Sequence, residues 1–404
     1  MRTLRDPRTI RERCANIARA VRAGESEWFE LRLDKLDQAA ALVDAVTREG
    51  YPELRIPYHS RWRHFEAGGI DRGVELNDLL RSVDPAEQAR ARIDLTVVSV
   101  LLDAGAGPRW RYQEPLPSGP PQSFARSEGL GVATFRGFLE GAFSSSRERP
   151  LRVDAAALIE LNTSDLARLF QVHEDNPIVG LEGRAELMRR LGNTLHRSPE
   201  LFGAEARPGG FYDVLRTQPN STAIDAAQVL QIVIDGLSPI WLTGSELEGE
   251  PLGDVWRHPR AGGNGASAGW VPFHKLSQWL TYSLLEPLEW AGHRIIGQDA
   301  LTALPEYRNG GLLLDTGVIR FRDPAHQQRR WRPGDECIVE WRALTVSLLD
   351  ALAEHLRARL GLNAEQLPLA RVLEGGTWAA GRAIAERLRG GTPPLDIESD
   401  GTIF

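Results

Sequence analysis

The strongest candidate for chemistry is a lysine at the start of a predicted helix. The chain has 48 lysine and arginine residues, of which only Lys35 and Lys275 are lysines. Lys275 lies in the first turn of a helix that we predict to begin near Phe273. A cation there opposes the helix dipole and needs a bound anion or a buried carboxylate as partner. We predict that Lys275 binds a ligand beside His274 and Gln278, the alternative being a surface lysine.

A second group of polar residues interrupts an otherwise apolar segment, residues 301–317. Glu306, Arg308 and Asn309 lie between two apolar patches in this segment. Polar groups in a buried segment need hydrogen-bond partners or a ligand. We therefore predict that these three side chains contribute to a binding site, and the alternative is a salt bridge within a loop.

Glu340 and Arg342 form a third candidate pair. Residues 336–342 alternate in apolar character, which predicts a short strand with Glu340 and Arg342 on one face, just before a helix. The two charges would either bind substrate or pair with neighbouring elements, and for this pair the structural role is the stronger alternative.

Two histidines and two arginines are concentrated within residues 57–65, namely His59, Arg61, Arg63 and His64. Such a cluster suits a phosphate or a carboxylate, and the alternative is a solvated basic patch. The two histidines are five residues apart, a spacing that places them on one face of neither a helix nor a strand. We therefore predict no metal site here.

Composition excludes several classes of protein. A net charge of −7 and a pI near 5.8 argue against a nucleic-acid binder. The sequence has no apolar run of membrane-spanning length and no signal peptide at its start. Two cysteines are too few for a disulfide framework. We expect a cytoplasmic protein without nucleic-acid or membrane partners, and its oligomeric state stays open.

The elements that must position these residues are mainly helices. Apolar periodicity predicts helices over residues 86–104, 155–172, 182–192, 223–235 and 342–360, and from about 273 to a bend or end at Pro287. A short strand over 55–58 is a further prediction. No linker is evident, so we predict a mainly α fold with small β elements. Residues 1–404 would form one catalytic unit, with an N-terminal helical layer over 1–150 and a helical core over 151–404.

Motifs along nearly the whole chain resemble those of one family. The chain resembles the uracil-catabolism proteins of the URC pathway, a family once labelled as a domain of unknown function, in residues 59–65, 101–107, 127–129, 272–280, 306–311, 339–343 and 399–402. That pathway opens the pyrimidine ring of a uracil nucleotide and releases urea. The segment 101–107 contains Asp103 and the segment 399–402 contains Asp400.

A more distant resemblance concerns mechanism. The queuosine-nucleotide salvage hydrolases carry an aromatic-Lys-x-x-Gln helix start, then Asp-Tyr-Arg, then Glu-x-Arg. The segments 273–278, 306–308 and 340–342 are similar in order and spacing, with Glu306 in place of the aspartate. The resemblance implies a helical core similar to the helix-hairpin-helix DNA glycosylases and hydrolysis of an N-glycosidic bond.

Together the two resemblances imply an N-ribosyl hydrolase that acts on a ribosylurea, or its 5′-phosphate, and needs no cofactor or metal. Glu306 and Asp400 would be the catalytic carboxylates, which stabilise the oxocarbenium charge and orient or deprotonate water. The residues expected to bind substrate are Lys275, His274, Gln278, Arg308, Asn309, Glu340, Arg342, Asp103, His59, Arg61, Arg63 and His64. The alternatives are a uracil phosphoribosyltransferase and a non-catalytic binding protein of the pathway. The first is disfavoured because this sequence lacks the ribose-phosphate loop of phosphoribosyltransferases.

Overall fold

The computed structural model describes residues 2–116, 118–217, 223–242 and 245–398. Helices dominate these residues, and the β structure consists of pairs of short strands, so the prediction of a mainly α fold with small β elements is confirmed. These residues form two compact units, one from 2–59, 245–278 and 297–398, the other from the described residues between 60 and 242 together with 279–296. That residues 1–404 act as one catalytic unit, on a glycosylase-like core, stays a prediction.

The first unit is built around one long helix, Glu336–Leu360, which packs against two helices from the start of the chain. The described α-helices of this unit are Arg2–Arg5, Pro7–Arg22, Leu36–Gly50, Tyr307–Asp315, Glu336–Leu360, Leu369–Val372 and Trp378–Arg389, with a π-helical turn at Leu373–Thr377. Its 3₁₀ turns are Leu33–Lys35, Gly265–Ser267, Gln298–Ala300 and Pro324–Gln328.

Four strand pairs complete the described part of the first unit. The antiparallel pairs are Phe29–Leu31 with Ile319–Phe321, Val255–Arg257 with Trp270–Pro272, and Glu246–Leu247 with Glu250–Pro251, and the parallel pair is Arg330–Trp331 with Asp396–Ile397. The second of these pairs leads directly into the helix Lys275–Trp290, whose first four residues belong to this unit.

The second unit is centred on the helix Pro85–Leu101, of which nearly every residue from Ala89 onward is buried. Its other described helices are Trp62–Phe65, Arg72–Leu80, Arg126–Leu139, Ala155–Glu160, Thr163–Leu169, Leu181–Arg197, Pro199–Phe202, Gly210–Arg216 and Ala226–Leu237, with 3₁₀ turns at Ala67–Gly69 and Ser238–Ile240. Its strand pairs are Tyr112–Glu114 with Gln122–Phe124, antiparallel, and Ala223–Asp225 with Arg294–Ile296, parallel.

Local sequence signals place several helix boundaries. Asp84 caps the helix Pro85–Leu101 by accepting hydrogen bonds from the backbone N–H groups of Ala86 and Glu87, and Pro85 occupies the first turn. The predicted helix over 155–172 is instead two helices, because Asn162 starts a new capping box between them. Pro287 does not end its helix, which continues to Trp290.

Both predicted strands are wrong. Residues 336–342 begin the helix Glu336–Leu360, and the alternation misled because this turn of the helix is buried on every side, which removes the polar face that marks helical periodicity. Glu340 and Arg342 therefore point to different sides of the helix, since two residues span about 200° of a helical turn. Residues 55–58 are irregular backbone outside any strand pair.

Within the described residues, no helix is both long and apolar enough to cross a membrane. The longest of them, Glu336–Leu360, carries charges along its length, including Arg357 and Arg359 in its last turn.

A buried ion pair joins three separate segments of the first unit. The guanidinium of Arg342 donates to both carboxylate oxygens of Asp254 at 2.7 Å. Both side chains are almost fully buried, and Arg342 stacks on the Phe273 ring, 4.1 Å from its centroid. Arg342 also donates to the carbonyl oxygen of Pro305 at 3.3 Å. Burial opposes ionisation of Asp254, but the guanidinium outweighs it and holds the pKa of that carboxyl well below its ordinary value.

Removing the guanidinium should destabilise the first unit strongly. Arg342→Met leaves the Asp254 carboxylate buried without its cation, a change that typically costs about 3–5 kcal/mol. The matched control is Arg359→Met on the same helix, because Arg359 pairs with Asp37 at the surface and such pairs contribute about 0–1 kcal/mol. Urea denaturation measures both. Equal losses in the two variants would contradict the structural role of the pair.

The stability difference between the wild type and Arg342→Met should depend on pH. Because the folded-state pKa of Asp254 is depressed, its contribution is fully present above the unfolded-state pKa of about 3.9 and is lost as the pH falls below it. Urea denaturation from pH 7 to pH 3 should therefore show the advantage of the wild type shrinking below about pH 4. A constant difference over this range would exclude the ionised pair as its source.

Candidate functional site

Asp254 also fixes the start of the helix Lys275–Trp290. Its carboxylate accepts a hydrogen bond from the backbone N–H of Lys275 at 2.9 Å, and its carbonyl accepts from those of Phe273 and His274 at 2.9 and 3.2 Å. His274 has φ of 45°, in the left-handed region that favours glycine, so the entry to the helix is strained. Asp254 thus binds the backbone at the first turn of this helix, and the predicted anionic partner of the Lys275 ammonium stays a prediction.

Glu306 lies at the start of the helix Tyr307–Asp315. Its carboxylate accepts hydrogen bonds from the backbone N–H groups of Arg308 at 2.8 Å and Asn309 at 2.6 Å, the geometry of a helix N-cap. Only 9% of the residue is exposed. Burial raises the pKa of Glu306 above its ordinary value, while the two amides and the positive charges of Lys275 and His59 oppose the rise. The charges of Lys275 and His59 therefore each act on Glu306 within the first unit.

Asn309 connects the Glu306 segment to the segment that follows the long helix Glu336–Leu360. Its side-chain amide donates to the carbonyl oxygen of Leu304 at 3.2 Å, and its side-chain oxygen accepts from the Thr377 hydroxyl at 2.9 Å. Thr377 ends the π-helical turn Leu373–Thr377. Both side chains are completely buried, so this contact fixes the backbone that holds the Glu306 carboxylate.

His59 makes a close contact with the same π-helical turn. Its Nδ1 lies 2.7 Å from a carboxylate oxygen of Glu374, whose other oxygen accepts from the Tyr51 hydroxyl at 3.4 Å. The His59 ring is 6.1 Å from that of Trp378, and the backbone N–H of His59 donates to Ala370. His59 is 7% exposed, so the carboxylate fixes a ring that is almost entirely out of solvent.

Three other predicted residues are buried and hydrogen-bonded within the first unit. The contacts are His274 Nε2 to the carbonyl oxygen of Leu4 at 2.8 Å, the Gln278 amide to the Thr302 hydroxyl at 2.7 Å, and the Arg308 guanidinium to the carbonyl oxygen of Gly391 at 3.3 Å. Each contact joins segments distant in sequence, which is a structural role for these side chains.

Glu340 occupies a buried polar cluster. Its carboxylate accepts a hydrogen bond from the Ser26 hydroxyl and lies 3.3 Å from His258 Nε2. The Nδ1 of His258 accepts from the backbone N–H of Arg260 at 3.2 Å, and its buried Nε2 makes no hydrogen bond within the described residues. Arg342, two residues along the helix, turns instead to Asp254.

Arg61 and Asp103 are brought together in the second unit. The Arg61 guanidinium donates to Asp103 at 2.7 Å, to the Ser99 hydroxyl at 2.7 Å and to the carbonyl oxygen of Ser127 at 3.2 Å. Ser127 also donates to Asp103 at 3.0 Å. Burial lowers the pKa of Arg61 and raises that of Asp103, against their mutual attraction. The charge of Arg61 therefore already has a buried counterion.

Arg63 and His64 complete the predicted cluster. Arg63 pairs with Glu286 at 2.8 Å, and the His64 ring meets the Trp279 ring edge-on with centroids 5.9 Å apart. Glu286 also accepts a hydrogen bond from Ser60. The basic segment that the sequence grouped together is thus divided, with His59 in the first unit and Arg61, Arg63 and His64 in the second.

Asp400 lies outside the described residues. In the ranges that the structure does describe, no group of three or more His, Cys, Asp and Glu side chains is arranged to hold a metal ion.

A large cleft in the second unit contains none of the predicted site residues. Its volume is about 1030 Å³, and it is lined by charged residues that include Glu75, Arg136 and Asp165. Arg136 pairs with Glu75 and with the buried Glu114, so its charge is neutralised by its own unit. We assign the candidate site to the Glu306 region because the buried, electrostatically coupled groups lie there.

Asp254 and Glu374 were not predicted from the sequence. Asp254 lies 88 residues from Arg342 and belongs to no local motif, so nothing near it in the sequence indicates its role. Glu374 is followed by Gly375 and Gly376 inside a helical region, a combination that departs from ordinary helix composition and could have marked the turn.

Comparison with known proteins identifies the family. Residues 3–404 match the model of a family described as a protein of unknown function (DUF1688). A protein of Lachancea kluyveri named uracil catabolism protein 4 is 38% identical over 413 residues, covering 94% of this chain and 93% of that protein. Protein urg3 of Schizosaccharomyces pombe is 37% identical over 404 residues, covering 98% of this chain and 96% of that protein. The predicted resemblance to the uracil-catabolism proteins is confirmed, and the chain belongs to the DUF1688 family.

Proposed function

We propose that this chain acts in uracil catabolism as an N-ribosyl hydrolase, cleaving the N-glycosidic bond of a ribosylurea or its 5′-phosphate to release urea. The name of the Lachancea kluyveri relative supports the pathway. The observation that supports the reaction is the Glu306 carboxylate, buried, held by two backbone amides and within electrostatic range of Lys275 and His59.

Cleavage of this bond places developing positive charge on the ribose. Water oxygen bonds to C1′ of the ribose, the C1′–N bond breaks with its electron pair going to nitrogen, and a proton reaches that nitrogen. A carboxylate held beside the ribose stabilises the charge or takes the proton from water. Burial raises the pKa of Glu306 above its ordinary value, which favours proton exchange by this carboxyl group. In this proposal Asp400 is the second carboxylate, and either of the two activates water.

Lys275 supplies the binding group of the proposal. An ammonium group has three donors that rotate freely, which suits ribose hydroxyls or a carbonyl oxygen of the leaving group. Its backbone is fixed by Asp254, which itself is fixed by Arg342.

Removal of the Glu306 charge should abolish most activity. Glu306→Gln keeps the shape and one acceptor for the backbone amides but carries no negative charge. We expect urea release from ribosylurea, or from its 5′-phosphate, to fall at least tenfold, since acid–base groups contribute about 100-fold or more. The matched control is Glu365→Gln, an exposed site in the same unit. Urea and ribose are measured with purified protein.

The same assay separates the alternatives. Incubation with uracil and phosphoribosyl pyrophosphate tests the phosphoribosyltransferase reaction. UMP formation without cleavage of either ribosylurea would overturn the proposal in favour of that enzyme. A wild-type protein that binds a ribosylurea but releases no urea, with Glu306→Gln binding equally well, would instead support a non-catalytic binding protein.

The two lysines provide a matched pair of variants. Lys275→Met should raise KM for the ribosyl substrate by about tenfold or more, because the loss of a charged hydrogen bond removes about 1.5–3 kcal/mol of binding. Lys35→Met should leave KM unchanged, since Lys35 contacts only the exposed Gln38 among the described residues. Equal KM values for the two variants would exclude Lys275 from substrate binding.

A further inference from the structure

The π-helical turn Leu373–Thr377 lies close to two other segments of the first unit. A Cβ atom on Gly376 would lie 2.3 Å from Val43 and 2.6 Å from Thr47, and one on Gly375 would lie 2.9 Å from Ile56. Only glycine permits this approach. Such turns are rare in proteins and are frequent at functional sites, because they displace side chains from ordinary helical directions.

The two ends of this turn hold the two halves of the candidate site. Near one end, Glu374 accepts a hydrogen bond from His59 Nδ1 at 2.7 Å. At the other, the Thr377 hydroxyl donates to Asn309, whose backbone N–H donates to Glu306 at 2.6 Å. Four residues of backbone, 374–377, therefore connect the position of the His59 ring to that of the Glu306 carboxylate.

The Glu374 contact determines which nitrogen of His59 carries a hydrogen. A carboxylate accepts hydrogen bonds, so Nδ1 is the donor and carries the hydrogen. The other ring nitrogen, Nε2, makes no hydrogen bond to any described protein group and is available to a ligand. The groups that face this ring are Glu374, the Trp378 ring and, within electrostatic range, Glu306.

We infer that Glu374 is a positioning residue that orients His59 so that its Nε2 gives a proton to the nitrogen of the departing urea. The inference rests on the proposed N-ribosyl hydrolase reaction. Water oxygen bonds to C1′ and loses its proton to the Glu306 carboxylate. The C1′–N bond breaks with its electron pair on nitrogen, and the Nε2 proton of the charged ring moves to that nitrogen. His59 is left neutral, the carboxylate is left protonated, and exchange with solvent restores both.

A pair of substrates that differ in their need for this proton tests the inference. Urea is a poor leaving group without protonation, whereas p-nitrophenolate departs unassisted. We expect Glu374→Gln to lower kcat for ribosylurea by about tenfold to 100-fold and to leave cleavage of p-nitrophenyl riboside within about twofold of the wild type. Both substrates carry a 5′-phosphate if the wild type requires it.

His59→Asn provides the second variant. Asparagine retains an N–H group that can reach Glu374 but has no atom at the Nε2 position. It should show the same selective loss, and the double variant should lose no more than His59→Asn alone, because Glu374 acts through His59. Glu386→Gln, exposed on the following helix, is the control for an uncharged side chain nearby.

The outcomes distinguish this inference from the proposed function. Wild-type protein that cleaves ribosylurea, with equal losses on both substrates in the two variants, overturns the inference and leaves the hydrolase proposal intact. Additive losses in the double variant also overturn it. Wild-type protein that cleaves neither ribosylurea nor its 5′-phosphate overturns the hydrolase proposal itself. If Glu374→Gln fails to fold, His59→Asn alone decides, because its predicted selectivity is the same.

Discussion

The buried pair of Asp254 and Arg342 is the interaction on which the candidate site depends. Asp254 bonds the backbone of Lys275, and Arg342 bonds the carbonyl oxygen of Pro305, the residue before Glu306. One ion pair therefore sets the positions of the two backbone segments that carry the ammonium and the carboxylate. A buried pair is a costly way to hold two segments, because both charges lose their hydration. Its geometry is bidentate and its remaining lone pairs are satisfied, which are the conditions under which the attraction offsets that loss.

Asp254 and Glu306 show how one unit gives two buried carboxyl groups opposite properties. Each is almost fully buried and each accepts hydrogen bonds from backbone amides. Asp254 has a guanidinium in direct contact, which keeps its pKa low and its charge permanent. Glu306 has only amides in contact and cations at longer range, so burial prevails and its pKa rises. The first carboxylate is thereby suited to a structural role and the second to the exchange of protons.

Capping residues and apolar periodicity in the sequence predicted the helix starts that depend on neighbouring residues. Asp84 and Pro85 marked a helix start, and the apolar stripe after Phe273 marked the helix that begins at Lys275. The strand predicted over 336–342 failed because a helix buried on all sides has no polar face to reveal its period. Of the candidate site, the sequence indicated Lys275, Glu306 and His59 through residue type and motif. Their structural partners Asp254 and Glu374 come from distant parts of the chain, and such pairings depend on the fold rather than on neighbouring residues.

Two buried arginines make contacts for which the guanidinium group is suited. Arg342 binds a planar carboxylate through two parallel hydrogen bonds and stacks on an aromatic ring, a geometry that lysine does not offer. Arg61 likewise uses several donors at once, to Asp103, Ser99 and Ser127. At position 275 the backbone is fixed by Asp254. A flexible ammonium there is suited to hydroxyl groups, which have no planar array of acceptors. In the proposed reaction, arginine builds the site and lysine contacts the ribose.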